Sequence, residues 1–560
     1  MEKPWLAHYE EQVPKAVDIP DQTIFEVFEA AVRQDPRHAA YIYFGRRFTY
    51  AEMDRMVGQV AAFLKHLGVK KGDRVAIILP NVPQYPAVHY AVMRLGAIAV
   101  PTNPLYVERE LEYQLNNSGA EVAVALDLLY NRVEAIRART NLRAVIYTRA
   151  NDYMPAPLRW LYPLKAKREG KWATMPPQPN TYQFLDLMTR AAKGEFPVAP
   201  KAEVKPEEVA IFLYTGGTTG VSKGAVLTHR NLVANLAQLC AWNYALRAGE
   251  EIIMGALPFF HSYGMTTCLH LGVFICSTVV LVPRFDLKMI LPAVEKFKVT
   301  CFPGVPTMYV AINNNPDTPK FNLRNIRVCN SGGAPLPLEV ACEFERITGG
   351  RLVEGYGLSE TSPVSHSTPI FGERREGSIG LPLPNTEAMV VDLETRQPLP
   401  AGEIGELAVR GPQVMRGYWQ MEDETQKVLR DGWLYTGDMA KMDADGYFYI
   451  IDRKKDMIIA GGFNIYPREI EEVLYKHPKI KEAAVIGVED SYRGETVKAF
   501  IVLRDGEAAS EGEIIEYCKR EMARYKCPKF VEFRRELPKS LIGKVLRRVL
   551  VEEEKAGAHK

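Results

Sequence analysis

Short apolar runs and amphipathic stretches alternate through the first two hundred residues. RVAIILP, AIAVPTN, AEVAVAL and AVIYT are brief runs rich in Val, Ile and Ala, and they predict buried strands. AEMDRMVGQVAAFLKHLG and YPAVHYAVMRLG instead repeat apolar residues at the three- and four-residue spacing of one helix face. Strand and helix in turn at this spacing predict a parallel α/β sheet from about Thr23 to Pro200. The alternation resumes after residue 207. From Gly377 to Arg410 it gives way to short strands with Gly and Pro turns, predicting a β-rich subdomain. No repeat of fixed period is visible.

A polar pentapeptide, DRKKD (452–456), separates the strand pattern YFYII from MIIA. Beyond it come helix patterns at PREIEEVLYKH and EGEIIEYCKREMARY and strand patterns at EAAVIGV and KAFIVLR. The chain of 560 residues exceeds the roughly 250 to 300 at which one core stops growing. The expected fold is therefore α/β. A large multi-subdomain N-terminal α/β domain (1–452), of layered sheets and helices plus the β-rich subdomain, precedes a small mobile α+β C-terminal domain (453–560). DRKKD on its own reads equally as a solvated hairpin turn.

Charge adds little. With 70 basic against 68 acidic residues there is no long-range field, so no nucleic-acid role is expected. The longest apolar stretch, Cys268 to Val282, is 15 residues and is interrupted by His270, Gly272, Ser277 and Thr278, which predicts buried core and not a membrane span. The N-terminal stretch carries acidic residues and prolines where a secretory signal would be basic and then apolar. Eight scattered cysteines without a CxxC pair predict reduced thiols, and ten histidines without HxxxH or HExxH spacing give no basis for zinc.

The chemistry concentrates in YTGGTTGVSKG (214–224), directly after the strand pattern VAIFL. Thr215 to Gly220 comprises three threonines and three glycines. Their backbone N–H groups can approach an anion closely, and the hydroxyls and Lys223 add donors. The segment is not a Walker A loop, since no glycine stands five residues before a Gly-Lys pair. Gly220 to Gly224 matches GxSxG, but a nucleophile elbow leads straight into a helix, and AVLTH reads as extended.

This segment is followed by NSGGAPLP (330–337), EGYGLSETSP (354–363), GWLYTGD (432–438), DRKKDMIIAGGFNIYPREIE (452–471) and LPKSLIGKVLRR (537–548). In that order the segments resemble those of the adenylate-forming superfamily, and within it bacterial long-chain fatty-acid-CoA ligases. The likeness runs nearly end to end, from PWLAHY to GKVLRR. It implies that Thr215, Gly216, Gly217, Thr218, Thr219, Gly220 and Lys223 hold the ATP polyphosphate. It puts adenine between Gly333-Ala334-Pro335 and Gly355-Tyr356, and gives Ser359, where the family usually has threonine, to the α-phosphate. Glu360 is implied to hold Mg²⁺, with the Thr215 hydroxyl as a second ligand, and Asp438 and Arg453 to contact the ribose. Lys455 becomes the hinge, Gly461-Gly462 the pantetheine track, and Lys544 the lysine of the adenylation step, with Glu360 and Lys223 as its catalytic companions.

For the acyl group, PFFHSYG (258–264) and FPGVPTMY (302–309) resemble the pocket segments, which points to Phe260, His261, Gly264, Met265, Gly304 and Val305. Phe259, Phe260 and His261 read equally as core aromatics. Met265 stands where some long-chain members have a tunnel-gating tryptophan, and Trp242 falls outside that position. The implied reaction is ATP-dependent activation of a medium- to long-chain fatty acid to acyl-AMP, followed by thioester formation with coenzyme A. The alternatives are an aryl- or short-chain acyl-CoA ligase and a non-catalytic acyl-AMP-binding protein. Implied partners are fatty acid, ATP and CoA, with a homodimer left open. The implied location is cytoplasmic, with peripheral attachment at the inner membrane face as its outer limit.

Overall fold

The computed structural model describes residues 2–170, 172–215, 222–460, 463–490, 493–539 and 545–557. An eight-stranded sheet takes its strands in the order Gly417–Tyr418, Lys223–Thr228, Val209–Thr215, Ile98–Pro101, Arg74–Ile78, Val122–Leu126, Ala144–Thr148 and Thr181–Gln183. From Val209–Thr215 onward all neighbours are parallel. The central strands are buried on both faces, as their unbroken apolar runs require. Helices Tyr50–His66 and Gln84–Arg94 occupy the two predicted helical patterns.

Two strands of this region belong elsewhere. Ala39–Tyr43 pairs in parallel with Thr278–Leu281, and Arg46–Thr49 closes on it as a hairpin. The expected sheet from Thr23 to Pro200 thus lacks its first hairpin, because alternation predicts that a strand exists but not which distant strand it meets. This second sheet continues through Ile252–Gly255 and, by bridges at Cys301, to Val328–Ser331 and Arg351–Gly357. The β-rich region is an antiparallel sheet built on Glu387–Val391, Gly405–Arg410, Trp433–Met442 and Phe448–Arg453.

The stretch from Cys268 to Val282 is buried, as expected. It continues a π-helix, Met265–His270, into a short helix at Leu271–Phe274 and the strand Thr278–Leu281. Among the described residues no helix is long and apolar enough to cross a membrane. Six cysteines are buried, Cys240 is intermediate, Cys342 is exposed, and all eight are free.

Several helices begin where local chemistry directs. Thr23 caps Ile24–Gln34 with a reciprocal pair: its hydroxyl accepts from the Glu26 N–H, and Glu26 accepts from the Thr23 N–H. Beyond Asp456 the apolar residues pack with one another, Ile458, Ile470, Val485, Val497 and Ile514 among them, on the antiparallel pair Ile480–Asp490 and Gly494–Leu503. The helices Pro467–Tyr475 and Glu511–Glu521 cover that sheet.

Candidate active site

Val209–Thr215 and Lys223–Thr228 are the arms of one antiparallel hairpin, with Thr215 opposite Lys223 and Tyr214 opposite Gly224. The ladder thus flanks the glycine- and threonine-rich segment on both sides. That segment's residues Gly216, Gly217, Thr218, Thr219 and Gly220 lie outside the described residues. The strand after the turn runs for six residues before a helix begins, so the GxSxG match has no nucleophile-elbow geometry. The hairpin is braced from the side: the Tyr113 hydroxyl donates to the Ser222 carbonyl (2.9 Å), and Tyr214 donates to the Asn117 amide oxygen (2.6 Å). Beside these residues Trp419 stacks on Phe212, 4.5 Å between ring centres.

Lys223 is paired. Its Nζ forms a short ion pair with Glu424, at the start of the helix Glu422–Val428, and lies 5.1 Å from the centre of the Tyr418 ring. Hydrogen bonds from Lys223 and then Lys427 hold the Glu424 carboxyl down at about 2. The Tyr418 hydroxyl in turn donates to Glu360 Oε1 (2.7 Å), and burial followed by that carboxylate pushes the phenol far up. Glu360, Tyr418, Lys223 and Glu424 therefore form one chain of side chains across the mouth of the hairpin. Tyr418 and Glu424 were not singled out from the sequence. The signal available was their place just before the GWLYTGD segment.

The loops at the carboxyl ends of the second sheet's strands supply the next part, the usual ligand position in parallel α/β sheets. Ser331 lies opposite Glu354, and the Gly332 N–H donates to the Gly304 carbonyl (3.2 Å), which gathers the 304, 331–335 and 354–356 segments. Gly333 has φ +80°, a conformation that favours glycine. Gly333 and Pro335 are exposed and Ala334 half-buried, beside half-buried Gly355 and Tyr356. Burial pushes the neighbouring Glu354 carboxyl up to about 7. Ser359 lies 3.3 Å from the Ser262 hydroxyl, a second hydroxyl that sequence reasoning missed.

Asp438 is buried at the register position opposite Arg453. It accepts from the Tyr356 hydroxyl (2.5 Å) and pairs with Arg453 Nε (3.0 Å). The expected adenine-side tyrosine and the two expected ribose contacts thus form a single cluster. Asp438 raises the Arg453 guanidinium further, while burial and Asp438 push the Tyr356 phenol well up.

The two pocket segments also meet. The Tyr263 hydroxyl donates to the Asn330 carbonyl (2.6 Å), and Tyr309 donates to the same oxygen (2.9 Å). Gly264 approaches so closely that a Cβ would sit 2.4 Å from the Pro258 carbonyl oxygen, and at Gly304 one would meet the Tyr309 ring at 2.9 Å. Both positions exclude a side chain. Phe260 and His261 are half-buried, whereas Phe259 is core, with its backbone held by Asn81 and Tyr85. Val305 is buried, and Met265 is fully buried at the first position of the π-helix, an arrangement frequent at functional sites. Trp242 belongs to another core, where its indole N–H donates to the Thr368 carbonyl (3.2 Å).

At the connector, Lys455 is exposed, its ammonium 3.7 Å from Asp456, and partial desolvation of that ammonium pushes its value down. Arg547 binds Asp452 and Asp456 (both 3.2 Å) and Glu471 (2.6 Å), tying the connector to the start of the helix Arg547–Gly557. Sequence reasoning passed over Arg547, although it sits three residues after the expected lysine. Lys539 and Val545 form an antiparallel bridge. Lys544 itself and Gly461-Gly462 lie outside the described residues.

Residues 28–419 match the family profile "AMP-binding enzyme", and residues 469–544 match "AMP-binding enzyme C-terminal domain". The chain is 44% identical over 559 residues to a "Long-chain-fatty-acid--CoA ligase" of Bacillus subtilis (strain 168), covering 100% of this chain and 99% of that one. The structure resembles ATP-bound MatB from Rhodopseudomonas palustris, with TM-score 0.82, 31% identity and coverage of 95% and 99% of the two chains. It resembles equally an anthranilate CoA ligase, AuaEII, in complex with anthranoyl-AMP, with TM-score 0.82, 28% identity and coverage of 97% and 99%.

Proposed function

The chain belongs to the AMP-binding enzyme family, and from that membership we propose that it is an AMP-forming ligase joining a medium- to long-chain fatty acid to coenzyme A. The observation that carries the substrate class is the 44% identity along the whole chain to a long-chain-fatty-acid--CoA ligase. The acyl segments agree with it, since the Phe260 to Met265 stretch leads directly into a buried apolar run.

A carboxylate is a poor electrophile for a thiol, so the acid is first activated. A carboxylate oxygen bonds to the α-phosphorus of ATP and the bond to pyrophosphate breaks, leaving acyl-AMP. The CoA sulfur then bonds to the acyl carbon, the thiol proton is lost, and AMP leaves with the electrons of the anhydride bond. Both steps ask chiefly for positioning and for charge opposite developing negative oxygen. In this reading Thr215 to Gly220 and Lys223 take the polyphosphate, and Lys223 exchanges Glu424 for phosphate oxygens. Asp438, buried and already an acceptor, takes the ribose hydroxyls, with Tyr356 and Arg453 holding its carboxylate in place. Ser359 and Ser262 offer a pair of hydroxyls to the α-phosphate region. Lys544 serves the first step, and Gly461-Gly462 guide the pantetheine arm in the second after the small C-terminal domain (453–560) turns at Lys455.

The donor set fits Mg²⁺. Among the described residues no group of three or more His, Cys, Asp or Glu could hold an ion by itself. Mg²⁺ commonly takes one or two carboxylates, completing its shell with phosphate oxygens and water. Glu360, with the Thr215 hydroxyl, would provide that protein share, and the ion would neutralise phosphate charge. The free thiols suit a reducing cytoplasm.

ATP–pyrophosphate exchange measured across fatty acids, benzoates, acetate and amino acids tests the reading. Exchange should be strongest with medium- to long-chain fatty acids. Benzoate or acetate exceeding every fatty acid would overturn the substrate class, and amino acids alone would overturn the reaction.

A further inference from the structure

The segment from Gly255 to His270, which carries Phe260, His261, Gly264 and Met265, is fastened near both of its ends to one neighbouring helix and the loop before it. Near its start the Asn81 amide donates to the Gly255 and Leu257 carbonyls (2.9 and 2.8 Å) and accepts from the Phe259 N–H (2.9 Å). The Tyr85 hydroxyl donates to the Phe259 carbonyl (2.9 Å). At the far end His270 meets His89, Nε2 to Nε2 at 2.8 Å. Tyr85 and His89 stand four residues apart on one face of the helix Gln84–Arg94, their rings stacked with centres 6.2 Å apart.

Both histidines are buried, and burial keeps each imidazole neutral: it holds His89 down at about 3 and pushes His270 well below its ordinary value. A neutral imidazole has one N–H and one acceptor nitrogen, so in this contact one ring donates and the other accepts. Neither Nδ1 has a partner among the described residues. The shared bond is therefore the polar satisfaction that both rings have there, and a ring that lost it would be left bare at a cost. His270 closes the π-helix that Met265 opens. The i→i+5 bonding of such a helix sets these two residues one turn apart on one side. The near end of the π-helix has its own tie, since the Thr266 hydroxyl donates to the Ser362 carbonyl (2.9 Å), in the segment of Ser359 and Glu360. The two ends are thus held by different parts of the molecule.

On the ligase reading above, we propose that His89 and His270 are positioning residues for the acyl chain: their bond fixes the far end of the π-helix, and so sets which chain lengths the protein prefers. Apolar packing is non-directional, whereas a hydrogen bond between two rings demands one distance and one orientation. It fixes the rotation of the turn as well as its depth. A short acid ends before this turn and is indifferent to it. A long one, once past Met265, lies along it. The Thr266 tie leaves the nucleotide side in place whether or not the histidines meet.

Pyrophosphate exchange at saturating ATP is measured with octanoate, laurate, palmitate and stearate in the full-length wild type and in folded variants. In His89→Leu/His270→Leu, which removes the pair and leaves no bare polar ring, palmitate should lose about tenfold in kcat/KM, mostly through KM, while octanoate and the KM for ATP stay within about twofold. His270→Gln, whose amide can still bond His89 Nε2, should hold palmitate within about threefold of wild type. A merely structural role would instead lower every chain length by one factor and the response to ATP with it. That outcome, an unchanged chain-length profile in the leucine variant, or a glutamine variant as impaired as the leucine one would each overturn the proposal. Should the leucine variant fold poorly, His270→Asn, polar but too short to reach His89, carries the same expectations and the same refutation. A wild type inactive with every fatty acid would overturn the ligase reading itself, whereas an active wild type with indifferent variants would overturn this proposal alone.

Discussion

Replacing Glu424 by Gln tests whether the carboxylate that pairs with Lys223 stands where phosphate oxygens should go. Lys223 is largely enclosed, its side chain 16% exposed, and its ammonium is neutralised by Glu424, itself 31% exposed. If Lys223 serves the polyphosphate, ATP must displace that carboxylate, and the free energy of the ion pair is subtracted from ATP binding. A carboxyl held at about 2 instead of 4.5 corresponds to roughly 3 kcal/mol if fully counted, but solvent reaches the Glu424 side and screening brings a pair of this kind to about 1 kcal/mol. Glu424→Gln should therefore tighten ATP binding about fivefold, with 1.4 kcal/mol being a factor of ten. The amide keeps the shape and removes the charge. Isothermal titration with ATP and no fatty acid is the assay, at two salt concentrations, since the gain should shrink as salt screens the wild-type pair. Unchanged or weaker binding in a folded Glu424→Gln protein would refute the displacement argument and make Glu424 a support that keeps Lys223 in position.

The remaining predictions concern single groups. Asp438→Ala strands the Tyr356 hydroxyl and the Arg453 guanidinium and should weaken ATP binding by about 1 to 3 kcal/mol, read by the same titration. Glu360→Gln can still accept from Tyr418 and should stay folded while losing turnover most severely at limiting Mg²⁺; wild-type turnover there would remove Glu360 from the metal site. Lys544→Ala should reduce acyl-AMP formation by about 100-fold to 1,000-fold and spare thioester formation from supplied acyl-AMP, as single-turnover assays of each half-reaction can show. Glu354 has its folded value raised to about 7 from 4.5, so its stabilising protonated form is complete below pH 4.5 and is lost as pH rises through 7. Glu354→Gln should thus gain stability relative to wild type between pH 5 and pH 8, by up to about 3 kcal/mol in urea melts, and a gap independent of pH would contradict the raised Glu354 value.

Much of the site was legible because its chemistry is written locally. The Thr/Gly segment after VAIFL announced itself through residue type alone, and the paired strands on either side of it are described. Gly264 and Gly304 occur where a Cβ has no room, so the pocket segments keep glycine for a reason that any single chain displays. Tyr418, Glu424, Ser262 and Arg547 were not legible. Glu424 meets a lysine 201 positions away and Tyr418 a glutamate 58 away, and no local pattern encodes such pairs.

The same division runs through the fold. Apolar period and capping residues determined where strands and helices form: runs such as VAVAL suit burial on both faces, and Thr23 with Glu26 satisfies the free N–H groups of a helix start. These are interactions within a few residues, so the sequence alone suffices for them. Only the tertiary structure decided that Ala39–Tyr43 leaves its neighbours to pair with Thr278–Leu281, and that Asp438, Tyr356 and Arg453 close into one cluster. It alone decided that Trp160, Leu161 and Leu164 of the helix Ala156–Arg168 face outward. A strand's period is the same whichever partner it meets, and a helix's stripe is the same whichever way it faces. The choice is made by the surfaces that the rest of the chain presents.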